Sequence, residues 1–449
     1  MPSSDDSIAR EIQIAAVMQA IANSQCVAVV GLSNMGKSTL LRALKAPKYA
    51  EQLSRITGRA ASFVLVDCNG MLELSGQGFY ELILRSIREM AASYNHDLAA
   101  QLDEYYRRVV EPDSQFLVPL NFNNAMTALI EHDERDLILL FDEFDEAFDA
   151  LDGRVFLNLR ALKDKYPLNL TYVVATVRRL GARRSDEATS EFVELTAPHT
   201  VILTPFQWDE ASQMARELAR LSGIELSQHE IEFLWRQTGG HPRMLRAALG
   251  HLLELKLQGE PQSTEVLEQL AQALGRDTTI RYDCSRLWGQ LGPEERETLL
   301  EVALGGQPAV RRTVESLAAW GILTESSERV PLIFSSIFAD YVRRQATLRD
   351  RLPDGIWVDH DSGDVWVDGV PIPPLTELEF KLLALLNERK GKLTDKYQIV
   401  ETVWGVAYIN DVDDARIEKL VSRLRAKIEP DPGEPRYILT VRGRGYKQV

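Results

Sequence analysis

The chain has 449 residues, 45% of them hydrophobic and 26% charged, with a formal charge of −15. That length exceeds one ordinary core and implies roughly two to four domains, while no apolar run approaches the ~18 residues of a bilayer span, so no membrane partner is expected. Cys26, Cys68 and Cys284 are too few and too scattered for a disulfide framework or a zinc site, and the polar, acidic start Met1–Asp6 has no secretory core, so a cytoplasmic protein is expected.

In chain order, the first element that carries chemistry is the apolar stretch Cys26–Val30, which reads as a buried parallel strand. It runs into Gly31-Leu-Ser-Asn-Met-Gly-Lys-Ser-Thr39 and then a helical pattern through Leu44. Strand, glycine loop and helix in this order make a phosphate cradle. Gly31 and Gly36 let the backbone curl, so that the N–H groups of a loop lined by Ser33, Asn34, Met35 and Thr39 face a phosphate at the positive end of the helix. Lys37 then reaches the β- and γ-phosphates of ATP, and the Ser38 hydroxyl is a ligand for Mg2+.

Phe63–Asp67 reads as a second strand, and the helical stretch Phe79–Glu131 as a packing element or a partner surface. The apolar strand Leu137–Phe141 ends in Asp142 and Glu143, with Asp145 and Glu146 just beyond. An acidic pair at the carboxyl end of a buried strand lies where open α/β sheets bind ligands. Asp142 fits the metal-coordinating position and Glu143 the residue that polarises the attacking water; Asp145 reads as a cap for the helix starting near Glu146. Tyr172–Thr176 and Val201–Thr204 add strands, and their alternation with helices predicts a parallel α/β sheet. Thr176 and Arg178 are candidates for sensing the third phosphate. Arg183 and Arg184 in the next loop are either arginines donated across a subunit boundary or a solvated basic loop.

Three helical patterns between Asp209 and Leu257 read as a lid, Gln258–Thr264 as a linker, and residues 279–345 as helices followed by a short strand pair. At this point the chain resembles the STAND and archaeal-ATPase branch of the AAA+ P-loop ATPases over about residues 6–345. The resemblance rests on Ile8-Ala9-Arg10-Glu11, the phosphate loop, Leu139-Leu-Phe-Asp-Glu143 and Gly239-Gly-His-Pro-Arg243. It implies that Arg10 and Pro242 lie against adenine and that Arg243 acts as a second sensor, although Ala9 stands where the family usually has glycine. It also implies that residues 279–345 form a winged helix; because its third helix carries few basic residues, packing is expected in place of DNA binding.

Residues 354–449 hold 14 Lys and Arg against 17 Asp and Glu, yet residues 416–449 hold 9 against 4, a small basic face on an acidic body. Ile356–Val358 and Val365–Val367 predict a hairpin through the turn Asp361–Asp364. Thr376 with Glu379 forms a capping box that starts a helix, a second helix ends at Trp404-Gly405, and Asp414–Glu429 makes a third. On that third helix Ile417, Leu420, Val421, Leu424 and Ile428 form the buried stripe, with Arg416, Lys419, Arg423 and Lys427 as a basic ridge opposite, sized for a major groove. Tyr437–Val441 and Gly445–Lys447 close a wing around Arg442-Gly-Arg444. These residues, with Val403-Trp-Gly405 and Ser422-Arg-Leu-Arg425, strongly resemble the OmpR/PhoB-type effector domain, which implies that the ridge enters the groove of double-stranded DNA while Arg442, Arg444 and Lys447 serve as wing contacts. Ala415 departs from that family, standing where an arginine is frequent.

The expected protein is thus an α/β multidomain chain: a P-loop ATPase core (1–206), a helical lid (207–262), a winged helix (263–348) and an OmpR-type DNA reader (354–449). The expected function is a bacterial, nucleoid-associated transcriptional regulator in which ATP orders self-association into a homo-oligomer and slow hydrolysis through Glu143 releases it, with any sensor supplied by a protein partner. Two alternatives stay open: a DNA-remodelling or replication-initiator-like ATPase recruited by its reader, and a DNA-binding module with ATP as a structural cofactor.

Overall fold

Apolar on both faces, five strands pair into one all-parallel sheet: β1 (Val27–Val30), β2 (Ala60–Asp67), β3 (Arg135–Asp142), β4 (Leu170–Thr176) and β5 (Thr200–Ile202), in the order β2-β3-β4-β1-β5. The computed structural model describes residues 10–132, 134–184, 186–257, 264–308, 310–326, 330–349, 355–359, 365–372, 375–405 and 414–449. Ile8 and Ala9, most of the Gln258–Thr264 linker and the Asp361–Asp364 turn lie outside them. β1 and β4 are buried along their whole length, as strands covered on both faces must be. An aromatic cluster of Phe79, Phe141, Phe144, Phe148, Phe156, Tyr172 and Phe192 fills the space beside the sheet. Because β1 lies between β4 and β5 while β2 lies at the far edge, the chain reverses its strand order at the carboxyl end of β1, the crevice that such sheets offer to ligands.

The chain divides into two compact units, Met1–Ser227 with Gly240–Pro242, and Gln228–Gly239 with Arg243–Val449. The expected parallel α/β core is the first unit. Of the three lid helices, Trp208–Leu221 belongs with it, whereas Gln228–Thr238 and most of Pro242–Leu257 belong with the second. Helices Gly76–Ala92, His96–Val110 and Leu117–Thr127 pack on one another; Tyr80 stacks on Phe122 at 4.5 Å, and Glu81 accepts hydrogen bonds from Arg85 and Tyr106.

In the second unit, helices Thr278–Gly289, Pro293–Ala303 and Arg311–Ala319 precede a hairpin of Leu323–Glu325 with Pro331–Ile333 and the long helix Ser336–Arg349. The C-terminal domain opens with Ile356–Val358 and Val365–Val367, joined by a third short strand, Val370–Pro371, that the sequence pattern did not suggest. Helices Glu377–Glu388, Lys396–Val403 and Asp414–Ile428 follow, and the wing pairs Ile438–Val441 with Gly445–Gln448. One apolar core joins all of these, with Val365, Leu383, Ile399, Leu424 and Ile438 among its buried members. Among the described residues no helix is long and apolar enough to cross a membrane.

Candidate functional site

The phosphate loop is pinned at its root. Gly31 N–H donates to the Thr176 carbonyl of β4 at 3.1 Å, and Leu203 N–H, just past β5, donates to Val30 at 2.7 Å. A Cβ at Gly31 would stand 2.8 Å from the Leu203 carbonyl oxygen, so the chain passes there only as glycine. Asn34 (φ 62°) and Gly36 (φ 92°) take the left-handed conformation, which turns neighbouring N–H groups inward as in an anion-binding nest. Gly36 then opens the helix Lys37–Leu44, whose first N–H groups carry the positive end of the dipole. Lys37 is buried, and its Nζ donates to the Gly31 and Leu32 carbonyls at 2.7 and 3.3 Å, so its cation lies across the loop.

β3 delivers the carboxylates. Ser38 Oγ donates to Asp142 Oδ1 at 3.0 Å, bringing together the two groups that the sequence assigns to the metal. The same oxygen accepts the Glu143 N–H at 3.1 Å. Burial pushes the Asp142 carboxyl up, Ser38 opposes that, and the neighbouring charges of Glu143 and Asp67 add to the rise; Asp67 is its partner in the β2–β3 register. Glu143 sits at the turn into the helix Phe144–Ala150 with φ 50°, a conformation that costs a non-glycine residue energy and that clusters at functional sites. Among the described residues no three His, Cys, Asp or Glu side chains form a metal cage. One hydroxyl and one carboxylate are the hard oxygen donors that suit Mg2+, an ion usually completed by water and phosphate.

Asp145 stands in the first turn of the helix Phe144–Ala150, the acidic position expected at a helix start, and it does more: its carboxylate crosses to accept the Val177 N–H at 3.0 and 3.1 Å and to pair with Arg183 at 2.9 Å. Burial pushes its pKa up against the pull of Arg183. Arg183 also pairs with Asp149, while Arg184 pairs with Asp186 and donates to the Leu151 carbonyl at 2.6 Å. Both arginines are thus engaged by their own chain and do not form a solvated basic loop. Thr176 is fully buried at the end of β4, and its hydroxyl donates to the Arg178 carbonyl at 2.8 Å, closing the turn that carries Arg178.

On another side of the loop lies Arg10, only 2% exposed. Its Nη2 donates to the carbonyls of Met35 at 2.9 Å and Thr204 at 2.7 Å, and its guanidinium lies 4.4 Å over the Phe206 ring. Nε and Nη1 are buried with no hydrogen-bond partner among the described residues. Burial draws its pKa down to about 10, with Glu210 pulling the other way, so the group remains a cation at neutral pH. Phe206 N–H donates to Gly240 at 2.8 Å, and a Cβ on Gly240 (φ 78°) would lie 2.1 Å from the Phe206 carbonyl oxygen. The segment carrying Pro242 is thereby seated beside the residue on which Arg10 stacks. Arg243 belongs to the second unit, where it pairs with the buried Asp283 at 3.4 Å.

In the C-terminal domain Ile417, Leu420, Val421, Leu424 and Ile428 are buried, and Arg416, Lys419 and Arg423 are exposed opposite them. Lys427 departs from that ridge: its Nζ donates to Glu379 Oε2 at 2.7 Å, and Glu379 is buried, so this cation is held by the neighbouring helix. Arg442 and Arg444 are exposed at the wing tip and Lys447 is half-buried. Two residues with no sequence role assigned hold the wing in place. Arg425 donates to the Ile438 carbonyl at 3.0 and 2.6 Å and to Thr440 Oγ1 at 2.8 Å, and Glu429 accepts the N–H groups of Arg436, Tyr437 and Ile438.

Comparison with known proteins bears on both sites. Residues 7–316 match the family model of novel STAND NTPase 1, and residues 372–448 match that of the C-terminal domain of transcriptional regulatory proteins. A probable transcriptional regulator, ycf27 of Guillardia theta, is 46% identical over 72 residues, which are 16% of this chain and 28% of that protein. The sensory transduction protein RegX3 of Mycolicibacterium smegmatis is 42% identical over 83 residues, 18% of this chain and 35% of that protein. The chain thus spans about a third of the length of these curated relatives. Among solved structures, a Walker-type ATPase of Pyrococcus abyssi aligns with 74% of this chain and 95% of its own at 16% identity and a TM-score of 0.49.

Proposed function

The chain belongs to the novel STAND NTPase 1 family, and we propose that it is a transcriptional regulator in which ATP binding and hydrolysis control self-assembly and, through it, affinity for double-stranded DNA. The observation that carries this reading is the 3.0 Å bond between Ser38 and Asp142 beside the buried Lys37, on a chain that also ends in a winged helix with an exposed basic ridge.

The residues fit the nucleotide and its metal. The loop N–H groups of Ser33, Asn34, Met35, Gly36 and Thr39 cradle phosphate, Lys37 neutralises it, and Ser38 with Asp142 would hold Mg2+, which supplies positive charge to the phosphate oxygens. The unpartnered Nε and Nη1 of Arg10 suit an adenine or ribose acceptor, with Pro242 as the apolar contact. Glu143 orients and deprotonates the attacking water, while Thr176 and Arg178 at the end of β4 sense the third phosphate. Arg243, at the position that resembles the second sensor arginine of AAA+ ATPases, is the remaining candidate for that role.

Assembly supplies the affinity. One winged helix makes few phosphate contacts and binds on the order of 10⁻⁴ to 10⁻⁶ M without specificity. Joining readers in one particle adds about 10² to 10⁴ in avidity with no new contact. Arg416, Lys419 and Arg423 then read or clamp the major groove, and Arg442, Arg444 and Lys447 the flanking backbone. The test is a mobility-shift series on genomic fragments with and without ATP and Mg2+, read beside particle mass. Glu143→Gln protein should stay assembled and DNA-bound in ATP, where a protein using ATP as a structural cofactor would barely change. Lys37→Ala protein that assembled and bound like the parent, with and without nucleotide, would refute the proposal.

A further inference from the structure

We infer that the C-terminal reader is not a freely tethered domain but is latched to the winged helix that precedes it, through Trp366 on the reader and Gln345 on the helix Ser336–Arg349.

The strand Val365–Val367 alternates faces. Val365 and Val367, with Ile356 and Val358 across the hairpin, enter the reader's own core, so Trp366 and its cross-strand partner Trp357 face the other way. In a free domain that face meets water. Trp366 is nevertheless only 2% exposed, among the largest fully covered side chains of the described residues. Its indole N–H donates to Gln345 Oε1 at 3.1 Å, and Gln345 is itself 5% exposed. Trp357 stands edge-on against the same ring at 4.8 Å.

The helix shows the same join from its side. Ile337, Phe338, Tyr341 and Val342 are buried at helical spacing, as the interior face of a winged-helix domain requires, while Arg343 and Arg344 are exposed. One turn further on, the stripe continues with an amide in place of an apolar group. A buried glutamine and a buried indole each need a polar partner, and here each supplies the other's. The latch leaves Arg416, Lys419, Arg423, Arg442 and Arg444 exposed, so it orients the DNA face without covering it. A reader fixed this way has its spacing in any assembly set by the particle, whereas a flexible linker would let it sample many spacings.

Both latch residues belong to the unit that does not carry the phosphate loop, so the test is independent of ATP control. Cys26, Cys68 and Cys284 are all buried, so a cysteine introduced at the exposed Glu401 (Glu401→Cys) takes a fluorophore selectively. Time-resolved anisotropy of the full chain should then show one slow decay. Gln345→Lys puts a charge where only opening the latch hydrates it, and Trp366→Ala removes the buried ring; each should add a fast component while affinity for a single-site duplex stays unchanged. A fast component already present in the parent, or a Gln345→Lys protein that decays like the parent, overturns the inference. Gln345 lies outside the reader, so that variant decides the matter if Trp366→Ala protein loses DNA binding through misfolding.

Discussion

Replacing Lys427 by alanine asks whether the fourth cation of the basic ridge on the helix Asp414–Ile428 serves the fold or the duplex. Its Nζ lies 2.7 Å from Glu379 Oε2, which also accepts the Thr376 N–H at 2.9 Å at the start of the helix Glu377–Glu388. Breaking a buried pair from one side costs about 3–5 kcal/mol because an anion is left uncompensated. Here the lysine side chain is 27% exposed, so water reaches the carboxylate once it is gone, and the Thr376 bond remains; about 2 kcal/mol is the expected loss. At a urea slope of about 1–3 kcal/mol per molar, the midpoint falls by about 1 M. Burial pushes the Glu379 carboxyl up, but Lys427 and Thr376 outweigh it, so the group titrates below its ordinary range. A carboxylate depressed in the folded state stabilises fully above its unfolded pKa of about 4.3 and loses that contribution as pH falls through the folded value. The gap between parent and variant is therefore full at neutral pH and closes in acid, and Glu379→Gln in the Lys427→Ala background recovers most of it. Urea titration of the full chain at neutral and acid pH, paired with mobility shifts, measures both quantities. An unchanged midpoint together with a loss of DNA affinity matching that of Arg423→Ala would refute the structural role.

Two further outcomes are expected. Gly31→Ala should lose at least tenfold in affinity for a fluorescent ATP analogue while keeping its far-ultraviolet circular dichroism, because the added Cβ meets the Leu203 carbonyl at 2.8 Å and displaces the root of the loop; parental affinity would mean that β5 yields instead. Arg442→Ala and Arg444→Ala should each lower the slope of log affinity against log salt by about 1, uniformly across sequences, as loss of a phosphate contact does; a loss confined to certain sequences would assign them to base reading.

Much of the fold was legible because its elements announce themselves locally. Five apolar runs became five strands, the Thr376–Glu379 capping box starts its helix as read, and the resemblances to STAND ATPases and OmpR-type readers are met by the family matches over residues 7–316 and 372–448. What escaped lacked a local signal. Ala60 to Ser62 extend β2 because they pair with Arg135 to Leu137 in register, not because they are strongly hydrophobic. Val370–Pro371 is too short to show a period. Gln345 carries no mark of burial, since an amide at that helical position reads as solvated until an indole is found opposite it.

The candidate site divides along the same line. The strand, turn and helix start around Gly31 to Thr39 were legible because their backbone conformation is encoded within nine consecutive residues. The pairings of Asp145, Arg183 and Arg425 were not, because their partners lie 32, 38 and 13 residues away at Val177, Asp145 and Ile438. Lys427 is the sharpest instance. Helical spacing placed it on the correct face, in line with Arg416, Lys419 and Arg423, yet amphipathic spacing assigns only a side of the helix and not what lies across from it at each level along the axis. At the last turn the start of the helix Glu377–Glu388 lies opposite, and its capping carboxylate takes the cation. A buried anion outcompetes water for a nearby lysine whenever geometry brings them within hydrogen-bond reach, and that geometry is tertiary.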